Sequence, residues 1–346
     1  MNRPLRTLVV GFGKMSSKYA NDPVMARHYR YATHAQVLVA NPKFEWVAVV
    51  DPDEAARDDA KIHWGISAVE KNIANLGSFA SEIEVAVLAT PPEARLGIIE
   101  ALPNLRAILV EKPLGRSLND SAEFLRNCRM RNIQVHVNFW RRADQQFQHL
   151  SHGGLKDIVG KTQIAHGVYG NGVLNNGIHL IDFIRMLLGE VESVAPLGKQ
   201  PTFVEGPIAG DMNFPFVLNL INGMVVPIQP IRFASYREVG LEIWGENGHL
   251  SILNEGLTIA HRQRHPNRGM ACEHEIAFDE ANYLKSTVGE ALFRMYDDLA
   301  LALYTKSKPC SPGDSALQTS IVVEAVLESF RRKKMTHINE YIEEAV

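Results

Sequence analysis

The sequence predicts an α/β protein: an N-terminal doubly wound parallel sheet followed by a C-terminal α/β domain with an open, mostly antiparallel sheet. Three observations lead there. Short β-rich runs alternate with amphipathic stretches through the first 138 residues, the pattern of a parallel sheet covered by helices on both faces. The first run, Leu8-Val9-Val10, turns at Gly11-Phe12-Gly13, as a phosphate-binding strand-to-helix turn does. Beyond Phe216 the spacing changes, and strands alternate with the turn pairs Asn222-Gly223, Glu246-Asn247-Gly248 and Glu255-Gly256, which read as hairpins. No low-complexity linker separates the halves, so the predicted domains are 1–138 and 139–346.

In the first domain the expected strands are Thr7–Val10, Trp46–Val50, Val85–Ala89, Ala107–Val110 and Ile133–Val137. Asp53–His63 and Ser117–Arg131 carry helical spacing, with Ser117 or Asn119 as the cap of the latter. In the second, Gly177–Leu188 shows an apolar stripe and stops at Gly189, a residue suited to a helix C-terminus. Helices over Val288–Tyr304 and Ser315–Arg332 close the chain.

Composition narrows the function. A net charge of -3 and a pI near 6.5 give no electrostatic footprint for nucleic acid or an acidic membrane. The basic run Arg331–Lys334 reads as a solvated helix end. No apolar segment approaches the ~20 residues needed to span a bilayer, and no signal peptide is read at the N-terminus. Cys128, Cys272 and Cys310 show no metal-ligand spacing and are too few for a disulfide framework. They are read as reduced thiols of a cytoplasmic protein, and no metal is predicted.

Ligands of a doubly wound sheet bind beyond the carboxyl ends of its strands. Gly11, Phe12, Gly13, Lys14 and Met15 are therefore cofactor candidates, with Ser16 standing where a third glycine is usual. Asp51 ends the second strand, where a carboxylate accepts ribose hydroxyls and repels a 2′-phosphate, so NAD is favoured over NADP. The stretch from Gly13 to Asp51 is longer than usual, and the excess, around residues 21–31, is either a loop over the cofactor or a surface excursion. Thr90 and Pro91 follow the fourth run, and Glu111-Lys112-Pro113 follows the fifth. A lysine there brings a cation to the same crevice.

These residues, in this order, resemble the Gfo/Idh/MocA family of sugar and polyol oxidoreductases. The resemblance runs through Gly11-Phe12-Gly13, Asp51, Ala89-Thr90-Pro91-Pro92, Glu111-Lys112-Pro113, the segment Gly170-Asn171-Gly172-Val173-Leu174-Asn175-Asn176-Gly177-Ile178-His179, and Glu242–Gly248. It implies hydride transfer between a nicotinamide and a secondary alcohol or ketone of a sugar, polyol or nucleotide-sugar. It assigns Lys112 and His179 to catalysis and Thr90, Pro91, Glu111 and Lys112 to the cofactor. It also implies a homodimer or homotetramer assembled through the C-terminal sheet. Histidine suits the proton, with a pKa near 6.5, and an ammonium stabilises a developing alkoxide.

Three departures stand out. Asn175 replaces a common aspartate and can orient a hydroxyl but not take its proton. The strand Lys161–Tyr169 runs straight into the glycine motif, implying a more open pocket. Arg95 stands where a histidine is usual. Asp182 either orients His179 or pairs with Arg185, and Arg141 and Arg142 either meet a substrate anion or form structural ion pairs. The alternative to an enzyme is a non-catalytic dinucleotide-binding regulatory or scaffolding protein, which the loss of that carboxylate makes conceivable.

Overall fold

Six apolar runs line up as a parallel sheet in the order β3-β2-β1-β4-β5-β6. They are β1 (Leu5–Val10), β2 (Phe44–Val50), β3 (Ala68–Glu70), β4 (Val85–Leu88), β5 (Ala107–Val110) and β6 (Gln134–Val137). Every residue of β4 and β5 is buried, as expected of central strands covered on both faces. The computed structural model describes residues 3–198, 202–203, 206–277 and 279–341. Two compact units are found, one running through Asp144 and including Val288–Leu317, the other Gln145–Thr287 with the segment from Gln318 onward.

Helices α1 (His34–Ala40), α2 (Glu54–Ile62), α3 (Arg95–Glu100) and α4 (Leu118–Met130) join these strands. Asp53 caps α2 and Ser117 caps α4, each side chain accepting a first-turn amide. Ser117, rather than Asn119, is therefore the cap. The segment after the glycine turn has an unusual path. The carbonyls of Met15 and Ser16 accept the amides of His34 and Ala35 at 3.1 and 2.9 Å, so α1 resumes the first helical turn and the intervening residues loop out. That excursion lies against the residues around Gly289. Tyr31 N–H donates to the Gly289 carbonyl, Arg30 pairs with Glu290, and Tyr31 stacks on Phe293 with centroids 4.7 Å apart.

The second unit begins with the short helices α5 (Gln145–His149) and α6 (Leu155–Val159). It then builds a ten-stranded sheet from β7 (Thr162–Tyr169), β8 (Val191–Pro196), β11 (Phe216–Leu220), β12 (Val225–Pro230), β13 (Gly240–Gly245), β14 (Gly248–Leu253), β15 (Thr258–Pro266), β16 (His274–Ile276), β17 (Asn282–Leu284) and β18 (Thr336–His337). A separate pair, β9 (Thr202–Phe203) and β10 (Met212–Asn213), lies between β8 and β11 in sequence. Among the described strands of this second sheet, only the β7–β12 pairing is parallel. The turn pairs sit where hairpins need them, with Gly223 and Gly256 at positive φ. Leu241, Ile243, Leu250 and Ile252 point inward at 0–1% exposure. Helix α7 (Ile178–Leu188) packs on that inner face, with Leu180 filling the space a side chain on Gly167 would need.

Helix α8 (Ala291–Thr305) belongs to the first unit, where Tyr296 and Leu299 join Val9, Phe12 and Leu38 in one core. Helix α9 (Gly313–Arg332) is the longest described helix. No helix among the described residues is long and apolar enough to cross a membrane.

Candidate functional site

The turns after β1, β2, β4 and β5 meet at one edge of the parallel sheet, and they bring together the cofactor candidates of the first unit. Gly11 has φ +87°, and a Cβ there would lie 2.4 Å from the Ala89 carbonyl oxygen, so only glycine fits. Ser16, in the third-glycine position, is fully buried and donates its hydroxyl to the Gly11 carbonyl at 2.6 Å. The departure from glycine thus closes the turn rather than disrupting it. Asp51 accepts the Phe12 amide on one oxygen at 2.5 Å and the Asp53 amide on the other at 2.8 Å. The carboxylate fixes the turn at the place where ribose hydroxyls would arrive. At Gly13 an added Cβ would meet nothing within 4 Å. Lys14 and Met15 follow, and the amides of Ser17 and Lys18 return to the Gly13 carbonyl. The first amides of a helix have no intrahelical acceptor, so open space beside Gly13 and those amides fit a dinucleotide pyrophosphate.

Glu111 and Lys112 leave β5 beside this turn. Glu111 accepts the Asn138 amide at 2.6 Å and contacts His34 Nε2 at 3.1 Å. His34 is itself 0% exposed and meets the Tyr296 hydroxyl through Nδ1 at 2.9 Å. Burial works to raise the Glu111 pKa. The hydrogen bonds and charges of His34, the Asn138 amide and the Lys112 charge outweigh it, and the carboxyl stays below its ordinary value. The Glu111 carboxylate is thus a held anion next to Lys112. Arg95 is 1% exposed and donates to the carbonyls of Thr90, Pro113 and Leu114. It fastens the Thr90-Pro91 loop to the Glu111-Lys112-Pro113 loop. Burial lowers its pKa to about 10, against the pull of Glu111 and Glu93, and it stays cationic at neutral pH.

His34, Asn138 and Tyr296 were not among the sequence candidates. One signal was available: Thr33 and Gln36 form a capping box, which starts a helix at His34. Nothing local points to Glu111, 77 residues away. Arg141 is buried, with its guanidinium 4.3 Å over the Trp140 ring.

Asn175 and His179 lie in the second unit. Asn171 and Gly172 both have positive φ, and Val173–Gly177 forms one wide helical turn leading into α7. Gly172 N–H donates to Asn213 Oδ1 at 2.9 Å, and Asp211 accepts the amides of Leu174, Asn175 and Met212 at 2.8–3.1 Å. Burial raises the Asp211 pKa and these amides pull it partly back. Asn175 Nδ2 reaches Asn176 Oδ1 at 3.3 Å. His179, half-buried, stands in the first turn of α7. Asp182 accepts the Thr319 hydroxyl at 2.8 Å and lies 3.7 Å from Arg185, one of the two partners read for it, while Arg185 also bonds Glu190 at 2.7 and 2.9 Å. A cavity of about 920 Å³ borders this loop, lined by Leu174, Asp211, Phe214 and Phe330 among others.

A parallel sheet with a glycine turn, an acid closing β2 and a lysine after β5 defines a dinucleotide-binding protein of the oxidoreductase type. Residues 5–139 match the model described as "Oxidoreductase family, NAD-binding Rossmann fold", and residues 129–251 match the GFO/IDH/MocA C-terminal domain. The chain belongs to the GFO/IDH/MocA oxidoreductase family, an NAD-binding family. It is 28% identical over 186 residues to trans-1,2-dihydrobenzene-1,2-diol dehydrogenase of Oryctolagus cuniculus, covering 47% of this chain and 56% of that protein. The match thus spans little more than half the length of that relative. The fold is similar to that of an oxidoreductase from Agrobacterium radiobacter in complex with NAD+, L-tartaric acid and magnesium (TM-score 0.73, 16% identity, 98% of this chain and 99% of that one). It is also similar to levoglucosan dehydrogenase in complex with NADH and levoglucosan (TM-score 0.73, 18% identity, 97% and 99% covered).

Proposed function

We propose that the protein is an NAD-dependent oxidoreductase acting on a secondary alcohol or ketone of a sugar, polyol or nucleotide-sugar. Lys112 carries this reading, because it follows a part-buried, hydrogen-bonded Glu111 on the same sheet edge as the glycine turn. Residues 1–138 would supply dinucleotide binding and 139–346 the substrate contacts, in a cytoplasmic homodimer or homotetramer. Ile164 and Val225, each 51% exposed on the sheet face away from α7, support the expected use of that face in assembly.

The amides after Gly13 would hold the pyrophosphate, with Lys14 and Met15 in that turn, and Thr90 and Pro91 would border the ribose. Asp51 would accept ribose hydroxyls and reject a 2′-phosphate. When bound, the nicotinamide supplies or accepts the hydride. A ring nitrogen of His179 takes the hydroxyl proton in the oxidative direction and returns it in the reductive one. Lys112 Nζ stabilises the negative charge developing on that oxygen. Asn175 orients the hydroxyl. Asp211 does not replace the missing acid, because its oxygens accept the backbone amides of Leu174, Asn175 and Met212.

The test is titration of the full chain with NADH and NADPH by fluorescence, then a sugar and nucleotide-sugar screen followed by nicotinamide absorbance. NADH is expected to bind at least about tenfold tighter than NADPH, a difference of ~1.4 kcal/mol. Lys112→Ala is expected to lower kcat by about 10²–10³ while leaving NADH affinity nearly unchanged. Asn175 favours a second reading, a dinucleotide-binding regulatory or scaffolding protein, and binding without turnover across the screen would select it. Failure to bind either nucleotide would overturn both.

A further inference from the structure

We propose that His136, Asp298 and Cys310 form a binding site for a divalent cation of the zinc type, apart from the glycine turn. The three donors come from β6, from α8 and from the segment that follows α8. All three donor atoms lie within 4.8 Å of one another. His136 Nε2 is 3.5 Å from Asp298 Oδ2 and 3.5 Å from Cys310 Sγ. An N–H···O hydrogen bond is about 2.7–3.2 Å long, so the imidazole and the carboxylate stand too far apart to be explained by one. They match a different geometry. A tetrahedral zinc ion with bonds of about 2.0–2.3 Å sets its nitrogen and oxygen ligands roughly 3.4 Å apart, and its nitrogen and sulfur ligands roughly 3.6 Å apart.

The surroundings hold these donors in place. The Cys310 amide donates to Asp298 Oδ2 at 2.7 Å, which binds the segment to the helix. Val137 N–H donates to the Ser311 carbonyl, and the Ser311 hydroxyl returns to the Val137 carbonyl. Gln134 donates to the Ser307 carbonyl. His136 is 1% exposed, and its Nδ1 is buried without a hydrogen-bond partner. No bond to Nδ1 therefore forces the proton onto Nε2, and Nε2 faces the gap with the Cys310 sulfur as its hydrogen-bond partner. The Asp298 side chain is 26% exposed, giving an entry path and room for water as a fourth ligand. On binding, the S–H bond of Cys310 breaks, its proton leaves to solvent, and a sulfur–metal bond forms with no change of oxidation state. The ion would fasten β6, an edge strand of its sheet, to α8 and to the segment covering it.

The experiment uses the full chain, stripped with chelator and titrated with Co²⁺ and then Zn²⁺. One Co²⁺ per chain is expected, with a near-ultraviolet thiolate-to-cobalt band that Zn²⁺ abolishes. Cys310→Ser should remove the band and weaken Co²⁺ binding at least about tenfold, the loss that even an outer-shell change brings. Cys128→Ser and the exposed Cys272→Ser should keep both. Asp298→Asn should keep the thiolate band but weaken binding, which a lone-cysteine site would not do. No band, or a band and affinity unchanged in Cys310→Ser, would overturn the proposal. If His136→Gln fails to fold, the cysteine and aspartate variants decide it. No step uses a nicotinamide or a sugar, so the result is independent of the oxidoreductase reading.

Discussion

The glycine turn after β1 and the glycine-rich loop before α7 are both sharp positive-φ turns that open a helix, yet they are held in opposite ways. The first rests on backbone at Gly11, with the buried Asp51 carboxylate holding the Phe12 amide beside it. Gly11 lies against the Ala89 carbonyl, its own amide donates to Val50, and Ser16 closes it from within. The second hangs on side chains, chiefly Asp211, which gathers the amides of Leu174 and Asn175. Backbone bracing gives a rigid cradle suited to an invariant ligand. Side-chain bracing gives a loop whose shape one residue can retune.

The largest expected difference lies in the glycines. Gly11→Ala combines a positive-φ penalty with a backbone collision and should cost about 3–5 kcal/mol. Gly172→Ala places its Cβ 1.9 Å from an Asp211 oxygen, a side chain that can swing away with the loss of its amide bonds. It should cost about 2–3 kcal/mol. Denaturant unfolding measures both, and the reverse order would break the contrast.

A second pair of variants sharpens it inside the first unit. His34→Ala removes the partner of both Glu111 and Tyr296 and should destabilise by about 2–3 kcal/mol. Tyr296→Phe removes one hydrogen bond and should cost about 1 kcal/mol. Equal losses would mean that His34 acts through packing alone.

The smallest effect is a difference of sign with pH. Glu111 has a lowered pKa in the fold, so its contribution is present above the ordinary glutamate value and is lost as pH falls through the lowered one. Asp211 has a raised pKa, so its contribution is full below the ordinary aspartate value and is lost as pH rises through the raised one. Stability measured against pH should therefore lose its acid-side fall in Glu111→Gln and its fall with rising pH in Asp211→Asn. Parallel curves for the two variants would remove the distinction.

The strand ends of the first unit were legible because a parallel sheet delivers its turns to one edge, so Gly11, Asp51, Thr90 and Glu111 could be placed at that edge from order alone. Ser117 and the hairpin pairs were legible because caps and tight turns have local chemistry. The partners of those residues were not. His34 meets Glu111 across 77 positions and Tyr296 across 262, and Asp211 reaches Asn175 across 36. Periodicity carries no information at such separations. His136 and Cys310, 174 positions apart, escape any spacing rule for the same reason. Ser16 and Arg95 were noticed as departures, but their carbonyl partners were visible only once the turns were folded.

The excursion between Ser16 and His34 has a practical meaning. Because Met15 and Ser16 bond directly to His34 and Ala35, the register of α1 is set by those contacts and not by how much chain lies between. The cost of a loop grows only slowly with its length, about 0.6 kcal/mol per doubling. Residues 21–28 are thus a natural port. A reporter peptide, a protease site or a short tag placed there would ride outside the helix, while His34 kept its hold on Glu111.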